Sequence, residues 1–170
     1  SLSLSANGSF EITSYELYAQ GLFFKPDGTA FFVLGGASDK IHKFTMSTAW
    51  DISTASFSHS SDTLANSSWS LVFKPDGTKF FYADYTNDQI VEHTLSTAWD
   101  VTSSSSTQTD TATISTLALN GSYRGILFNP TGTEINIHNT SRWAWTTLST
   151  AWDLTTLQGW TSGNNTNTKD

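Results

Sequence analysis

Short apolar runs separated by turn-forming residues make up most of the chain. In its centre, Ser70–Phe73 is a short apolar run, Lys79–Asp84 is rich in aromatic residues, and Gln89–Leu95 alternates in character. Runs of this length, bounded by Pro, Gly, Asn and Asp, predict β-strands. Helix signals are absent along the sequence, so the pattern predicts an all-β chain of antiparallel strands.

The chain also repeats itself. Two phrases occur three times in the same order, at a spacing of roughly 50 residues, which is typical of propeller blades. The first phrase is Phe24–Thr29, then Phe73–Thr78, and in weaker form Phe128–Thr133; the second is Ser47–Asp51, then Ser96–Asp100, then Ser149–Asp153. In the first phrase, Pro presets the backbone for a turn, and we expect its glycine at a positive φ to close a hairpin.

Each repeat predicts four antiparallel strands, the fourth beginning near Val101 in the second copy. Four such strands form one blade of a β-propeller. We therefore expect a single partial or half propeller over residues 1–161, with blades at roughly 9–56, 57–110 and 111–161, followed by a flexible tail at 162–170. Because Ser9–Thr13 aligns with Ser56–Ser60, it predicts an outer strand of a preceding blade.

Three blades are fewer than the four to eight of closed propellers. An open wedge would expose aromatic faces and strand edges, which invite association. The ring is therefore expected to be completed either by a longer chain or by a homo-oligomer. We favour a dimer with six blades, in which the N-terminal strand of one subunit completes the last blade of its neighbour.

Composition narrows the range of partners. The net charge of −7 and the scattered Lys and Arg residues argue against nucleic acid as a partner. No stretch approaches the length of a membrane-spanning helix, so we expect no membrane insertion. The chain has no Cys, which excludes disulfides, thiol catalysis and Cys-based zinc sites. No calcium-loop pattern is present, and we expect neither a metal nor a cofactor.

The two phrases together resemble a repeat family that is common in marine bacteriophage and environmental sequences. The resemblance covers about Gly21 to Thr156 and is most specific in Phe24–Thr29, Phe73–Thr78, Thr45–Thr54 and Thr94–Thr102. It implies a β-propeller used for binding or as a structural part of a virion or tail. The Pro-Asp-Gly-Thr element alone is also similar to the seven-bladed lactonase and quinoprotein-like propellers. Neither resemblance supplies catalytic residues.

The recurring tryptophans and aspartates are candidate ligand-binding residues. Each Trp packs between blades or over a blade end in one interpretation, and stacks on a sugar ring in the other. Each Asp braces a turn, binds sugar hydroxyls beside the Trp, or binds Ca²⁺. The residues concerned are Trp50, Trp99, Trp152, Asp51, Asp100 and Asp153.

Aromatic residues outside the repeated phrases are better candidates for a partner surface. They are Tyr15, Tyr18, Tyr85, Tyr123, Trp143 and Trp145, among which Tyr85, Trp143 and Trp145 join the candidate ligand-binding set. Packing in the core is the alternative for each of them.

No catalytic pattern is present. The four His occupy non-equivalent positions of the repeat, and neither a nucleophile elbow nor a paired-carboxylate arrangement is recognisable. The sequence therefore predicts a non-enzymatic recognition or scaffold module, located extracellularly or in a virion, that binds a host-surface glycan or another structural protein. The alternatives are a soluble propeller lectin with one weak sugar pocket per repeat and a lactonase-like hydrolase.

Overall fold

The computed structural model describes residues 9–64, 68–102, 106–113, 124–140, 142–159 and 161–163. Twelve strands are present in this part of the chain, together with two single-turn 3₁₀ helices at Ile52–Thr54 and Leu154–Thr156. The strands are β1 (Ala19–Phe24), β2 (Ala30–Gly35), β3 (Ile41–Met46), β4 (Ala55–Ser60), β5 (Ser68–Phe73), β6 (Lys79–Asp84), β7 (Gln89–Leu95), β8 (Ser106–Thr113), β9 (Gly125–Phe128), β10 (Glu134–His138), β11 (Trp143–Thr147) and β12 (Thr161–Gly163).

The strands form three separate four-stranded antiparallel sheets, β1–β4, β5–β8 and β9–β12, each following chain order. One sheet corresponds to one copy of the repeat. The predicted hairpin is confirmed: Gly28, Gly77 and Gly132 have φ values of 72°, 74° and 72°. In the first copy, the N–H of Gly28 donates to the carbonyl of Lys25 at 2.8 Å, which closes the turn.

The sheets stand against one another with their first strands innermost. β1 contacts β5, and β5 contacts β9. These three strands line a cavity of about 430 Å³, whose walls include Leu22, Val72 and Leu127. Three sheets whose innermost strands are neighbours are arranged as blades around an axis, so the structure confirms the predicted partial β-propeller of about three blades.

Apolar side chains fill the spaces between neighbouring sheets. Phe32 and Leu34 of β2 pack with Phe73 and Phe80 of the second sheet. Phe81 on the other face of β6 packs with residues of the third sheet. Strand β2 is buried along its whole length because both faces of the first sheet are covered. This explains why the inner strands lack polar alternation.

Two expectations about the blade edges differ from the structure. β4 belongs to the first sheet and crosses the boundary predicted between residues 56 and 57. Ser9–Thr13 is not a strand: Phe10 instead packs against Phe31 and Phe44, at ring-centroid distances of 6.2 and 5.4 Å. The N-terminal segment therefore covers the open face of the first sheet rather than belonging to another blade. Of the predicted tail, 162–163 falls in β12, and 164–170 lies outside the described residues.

Candidate functional site

The two repeated phrases meet at one corner of every sheet. The backbone N–H groups of Trp50, Trp99 and Trp152 donate to the carbonyls of Gly28, Gly77 and Gly132, each at 2.9 Å. In each pair the indole ring lies on the glycine so closely that a Cβ added there would overlap the ring. Glycine is therefore required at this position for two reasons: the backbone has a positive φ, and the tryptophan ring leaves no room for a Cβ.

The tryptophans themselves have a strained backbone. Trp50, Trp99 and Trp152 have φ values of 65°, 65° and 61°, a region that costs a non-glycine residue roughly 1–2 kcal/mol. Strain of this size persists only where surrounding contacts determine the conformation. Here the N–H bond to the turn glycine and the contact between indole and glycine supply those contacts.

The adjacent aspartates brace the same corner. Asp51 accepts hydrogen bonds from the N–H and hydroxyl of Ser53 at 3.1 and 2.6 Å, and caps the 3₁₀ turn that follows. Asp153 makes the same contacts with Thr155, whose hydrogen bond holds the pKa of this carboxyl below its usual range. Asp100 accepts from the N–H of Thr102 at 3.1 Å. Turn bracing thus occupies one carboxylate oxygen of each aspartate.

Two of the three indoles also bridge neighbouring sheets. Trp99 stacks on Phe23 and Phe32 of the first sheet, at centroid distances of 6.3 and 6.0 Å. Trp152 packs at a tilt against Phe81 of the second sheet, with ring centroids 6.2 Å apart, and is only 9% exposed. Trp50 stacks on Phe24 of its own sheet and is 61% exposed. The three corners are therefore equivalent in backbone but not in accessibility.

A lysine fastens each junction between sheets, a contact that sequence reasoning missed. Lys43 of β3 donates to the carbonyl of Trp99 at 3.0 Å. At the second junction, Lys79 of β6 donates to the carbonyl of Trp152 at 2.9 Å and forms an ion pair with buried Glu92. The lysines come from different strands, so aligning the repeats reveals no recurring position.

Sequence reasoning also missed a buried polar cluster beneath the N-terminal segment. Glu16 accepts hydrogen bonds from the N–H groups of Tyr18, Ala37 and Ser38 and from the Ser38 hydroxyl. Burial alone raises the pKa of Glu16, but these hydrogen bonds outweigh it and lower the pKa to about 2. The Ser38 hydroxyl also lies 2.9 Å from Nε2 of His42. The cluster fastens the N-terminal segment to the loop between β2 and β3.

The histidine of this cluster has a shifted pKa. Burial lowers the pKa of His42, an effect that the Glu16 carboxylate opposes and that Lys40 adds to. Nδ1 of His42 lies 2.8 Å from the Ser60 hydroxyl. Ser38, His42 and Glu16 resemble a hydrolytic triad in residue type only. In a triad the serine and the carboxylate lie at opposite nitrogens of the imidazole, whereas here both lie near Nε2 of His42, and Glu16 and His42 are buried.

The remaining predicted residues lie apart from the corners. Trp143 and Trp145 are neighbours on the third sheet, with centroids 6.2 Å apart, and Trp143 is 57% exposed. Tyr85, 43% exposed, follows β6, and Tyr18 precedes β1. Tyr15 stacks on Phe57 at 4.4 Å. Tyr123 lies outside the described residues. The structure therefore does not gather the predicted set into one site, and ligand binding at these residues stays a prediction.

Two further findings concern the described residues alone. Among them, no group of three or more His, Asp or Glu side chains is placed to hold a metal ion. None of their helices has the length and apolar character needed to cross a membrane.

Comparison with solved structures agrees with the fold. A candidate 6-phosphogluconolactonase from Bacteroides uniformis superposes with a TM-score of 0.61 at 19% identity, over 85% of this chain and 41% of its own. The β-propeller domain of Cps50 from Myceliophteria thermophila gives 0.56 at 10% identity, over 85% and 43%. The periplasmic gluconolactonase of Pseudomonas aeruginosa gives 0.54 at 12% identity, over 77% and 37%. No protein-family profile and no curated protein matches the chain.

These similarities define the chain as a β-propeller segment. It spans about two fifths of the length of the solved structures that it matches. At identities below one fifth, the likeness concerns the fold and leaves activity open.

Proposed function

We propose that the chain is a non-enzymatic recognition and scaffold module, part of an extracellular or virion-associated propeller, that binds a host-surface glycan or another structural protein. The observation that supports this most is how the repeated residues are used. Trp99 and Trp152 pack between neighbouring sheets and the recurring Asp residues brace turns, whereas Trp143 and Tyr85, which do not recur, are exposed. Rigid sheets carrying variable exposed aromatics suit recognition.

The cavity between the innermost strands β1, β5 and β9 also favours this proposal over a hydrolase. The described residues of the inner cavity are mostly apolar, including Leu22, Val72 and Leu127. A lactonase-like enzyme would need polar or metal-binding groups converging there. Hydrolysis assays with 6-phosphogluconolactone and gluconolactone test this point directly. We expect no rate above the spontaneous one, and a saturable rate would overturn the non-enzymatic proposal.

The lectin alternative with one pocket per repeat receives less support. Such pockets would need three accessible indoles, but Trp152 is nearly buried and Trp99 is stacked between sheets. We therefore expect the recognition surface to lie outside the repeated corners. Binding of the whole chain to arrays of bacterial-surface and animal glycans tests recognition, and binding abolished equally by Trp99→Ala and Trp152→Ala in folded protein would restore the lectin hypothesis.

The six-bladed dimer stays a prediction. It requires the side of the third sheet that is turned away from the second sheet to pack on the side of the first sheet that carries Phe31 and Val33, where these residues meet the N-terminal segment. Light scattering on the intact chain tests it. Twice the 18.6 kDa mass of one chain would support the dimer, and a monomer at all concentrations would contradict it.

A further inference from the structure

The contact between the first and second sheets, which we call the first junction, contains a histidine whose ring nitrogens are buried without partners. His93 of β7 stacks on Phe80 of β6, with ring centroids 4.6 Å apart, and lies beside Tyr82 at 5.8 Å. Phe80 and Tyr82 pack there against Phe32 of the first sheet. Among the described residues, neither Nδ1 nor Nε2 of His93 makes a hydrogen bond. Burying a polar group without a partner is costly and burying a charged one costs far more, so this position opposes the protonated ring.

The other two sheets fill the same position without such a ring. Strand pairing places Phe44 of the first sheet and Thr146 of the third at the position of His93. Phe44 has no ring nitrogen to satisfy and stacks on Phe31, with centroids 4.9 Å apart. The Thr146 hydroxyl donates to the carbonyl of Gly159 at 2.6 Å. Packing at this position therefore does not require a histidine, and its presence in the second sheet adds a titratable group to one junction.

Other titratable groups reach the first junction from several elements. They are Lys25 of the turn after β1, Lys43 of β3, His59 of β4, Tyr82 of β6 and Asp100 of the corner after β7. Lys25 already pairs with Asp27 at 2.7 Å. Burial lowers the pKa of Lys43 and of His59, and Asp100 opposes this effect in both. A positive charge on His93 would therefore find the described carboxylates of this junction already engaged.

Strands β5 and β8 add no described charge that faces His93. β5 carries no titratable side chain. On β8, Gln108 stands opposite His93 in the strand pairing, and Asp110 stands opposite Glu92. Glu92 binds Lys79, which also donates to a carbonyl of the third sheet, so this pair belongs to the second junction. Protonated His93 would thus be a buried cation that no described anion faces.

From this arrangement we propose that the first junction is acid-sensitive, because protonation of His93 favours opening of the first sheet away from the second. Burial lowers the pKa of His93 from its ordinary 6.5 to about 4. The closed junction therefore holds the neutral ring, whereas an opened junction exposes the ring to water and binds a proton below about pH 6.5. The stabilisation is complete above this pH and is lost as the pH falls towards 4.

The response is confined to the first junction. His59 also lies there, but its protonated ring can pair with Asp100, whose Oδ1 is 3.4 Å from Nε2 of His59. Of the other two histidines of the chain, His42 contacts the cluster beneath the N-terminal segment and His138 is exposed. The contact between the second and third sheets therefore contains no histidine, and mild acid should leave it closed.

Introduced thiols report the opening of each junction separately, because the chain has no Cys of its own. Leu34→Cys places a thiol between the first and second sheets, and Ile137→Cys places one between the second and third; both residues are 0% exposed. The rate of maleimide labelling is measured at about pH 7.5 and about pH 5. Each rate is divided by that of the same variant unfolded in urea at the same pH, which removes the pH dependence of the thiol itself.

We expect the normalised labelling of Leu34→Cys to rise roughly 15- to 30-fold on acidification, and that of Ile137→Cys to change less than about threefold. Adding His93→Phe, the residue type of Phe44 in the first sheet, should abolish the rise. Adding His138→Phe, the matched change at an exposed histidine, should leave the rise intact. If Leu34→Cys does not fold, Val91→Cys reports on the same junction from the second sheet, where Val91 is 2% exposed.

Three outcomes would overturn the proposal. A rise that persists with His93→Phe would assign the acid response to other groups, such as His42 and Glu16. An equal rise at both thiols would mean that the chain unfolds as a whole rather than opening at one junction. No rise at Leu34→Cys or Val91→Cys would mean that His93 does not couple to opening. The recognition function proposed above stands or falls independently of these results.

Discussion

The contact between Gly77 and Trp99 gives the sharpest test of the repeated corner. Gly77 has a φ of 74°, and an added Cβ would overlap the Trp99 indole. Gly77→Ala therefore suffers two penalties. The left-handed backbone costs roughly 1–2 kcal/mol for a residue with a Cβ, and forcing a methyl group into a filled space costs roughly a further 1–3 kcal/mol.

A second glycine separates these two penalties. Gly159 also has a positive φ, 95°, but a Cβ there would meet nothing within 4 Å. Gly159→Ala should therefore cost only the backbone term, roughly 1–2 kcal/mol, whereas Gly77→Ala should cost roughly 2–5 kcal/mol. Urea denaturation monitored by circular dichroism measures both free energies of unfolding.

A double-mutant cycle identifies the steric partner. In a Trp99→Ala background the methyl group at residue 77 has room, so its cost should fall to that of Gly159→Ala. Neighbouring residues of this kind usually couple by roughly 0.5–3 kcal/mol. If Gly77→Ala costs no more than Gly159→Ala in the parent chain, or costs the same with and without Trp99, the indole does not pack on the glycine as described.

Two further predictions concern the junctions and the N-terminal segment. Lys79→Met removes both the bond to the Trp152 carbonyl and the ion pair with buried Glu92, so it should cost roughly 2–4 kcal/mol. Lys74→Met, which breaks an exposed ion pair with Asp76, should cost about 0–1 kcal/mol, and equal costs in urea denaturation would contradict the junction role. Because the pKa of Glu16 is lowered from 4.5 to about 2, its stabilisation is fully present above the unfolded value and is lost as pH falls towards 2. Glu16→Gln should be less stable at neutral pH and should flatten the stability profile between these values, and a profile identical to that of the parent would exclude Glu16 as its cause.

Much of the fold could be predicted from the sequence because strand bounds and turns depend on residues that are close together in the chain. The bounds of β6 and β7 agree with the sequence prediction, since each strand is delimited by turn residues and its composition suits a buried sheet. The φ of Gly77 was predictable for the same reason: a hairpin turn after Pro-Asp requires it.

What the sequence did not show depends on which sheet faces which. The alignment of Ser9–Thr13 with Ser56–Ser60 suggested a strand, but none of the described strands pairs with this segment, and Phe10 packs on the first sheet instead. The junction lysines were hidden because Lys43 and Lys79 reach equivalent carbonyls from different strands. The orientation of Trp143 by Asn136 depends on cross-strand neighbours, which a single sequence does not specify.

The origin of those lysines from different strands fixes the order of the three units. At the strand positions that correspond to Lys43 and Lys79, the third sheet carries Trp145 and Glu134. If gene rearrangement placed the second unit after the third, the carbonyl of Trp99 would face an indole and a carboxylate, and no ammonium group would reach it. Recombination between repeats can lengthen or shorten an array of identical units. Here it would break the lysine hydrogen bonds that join neighbouring sheets.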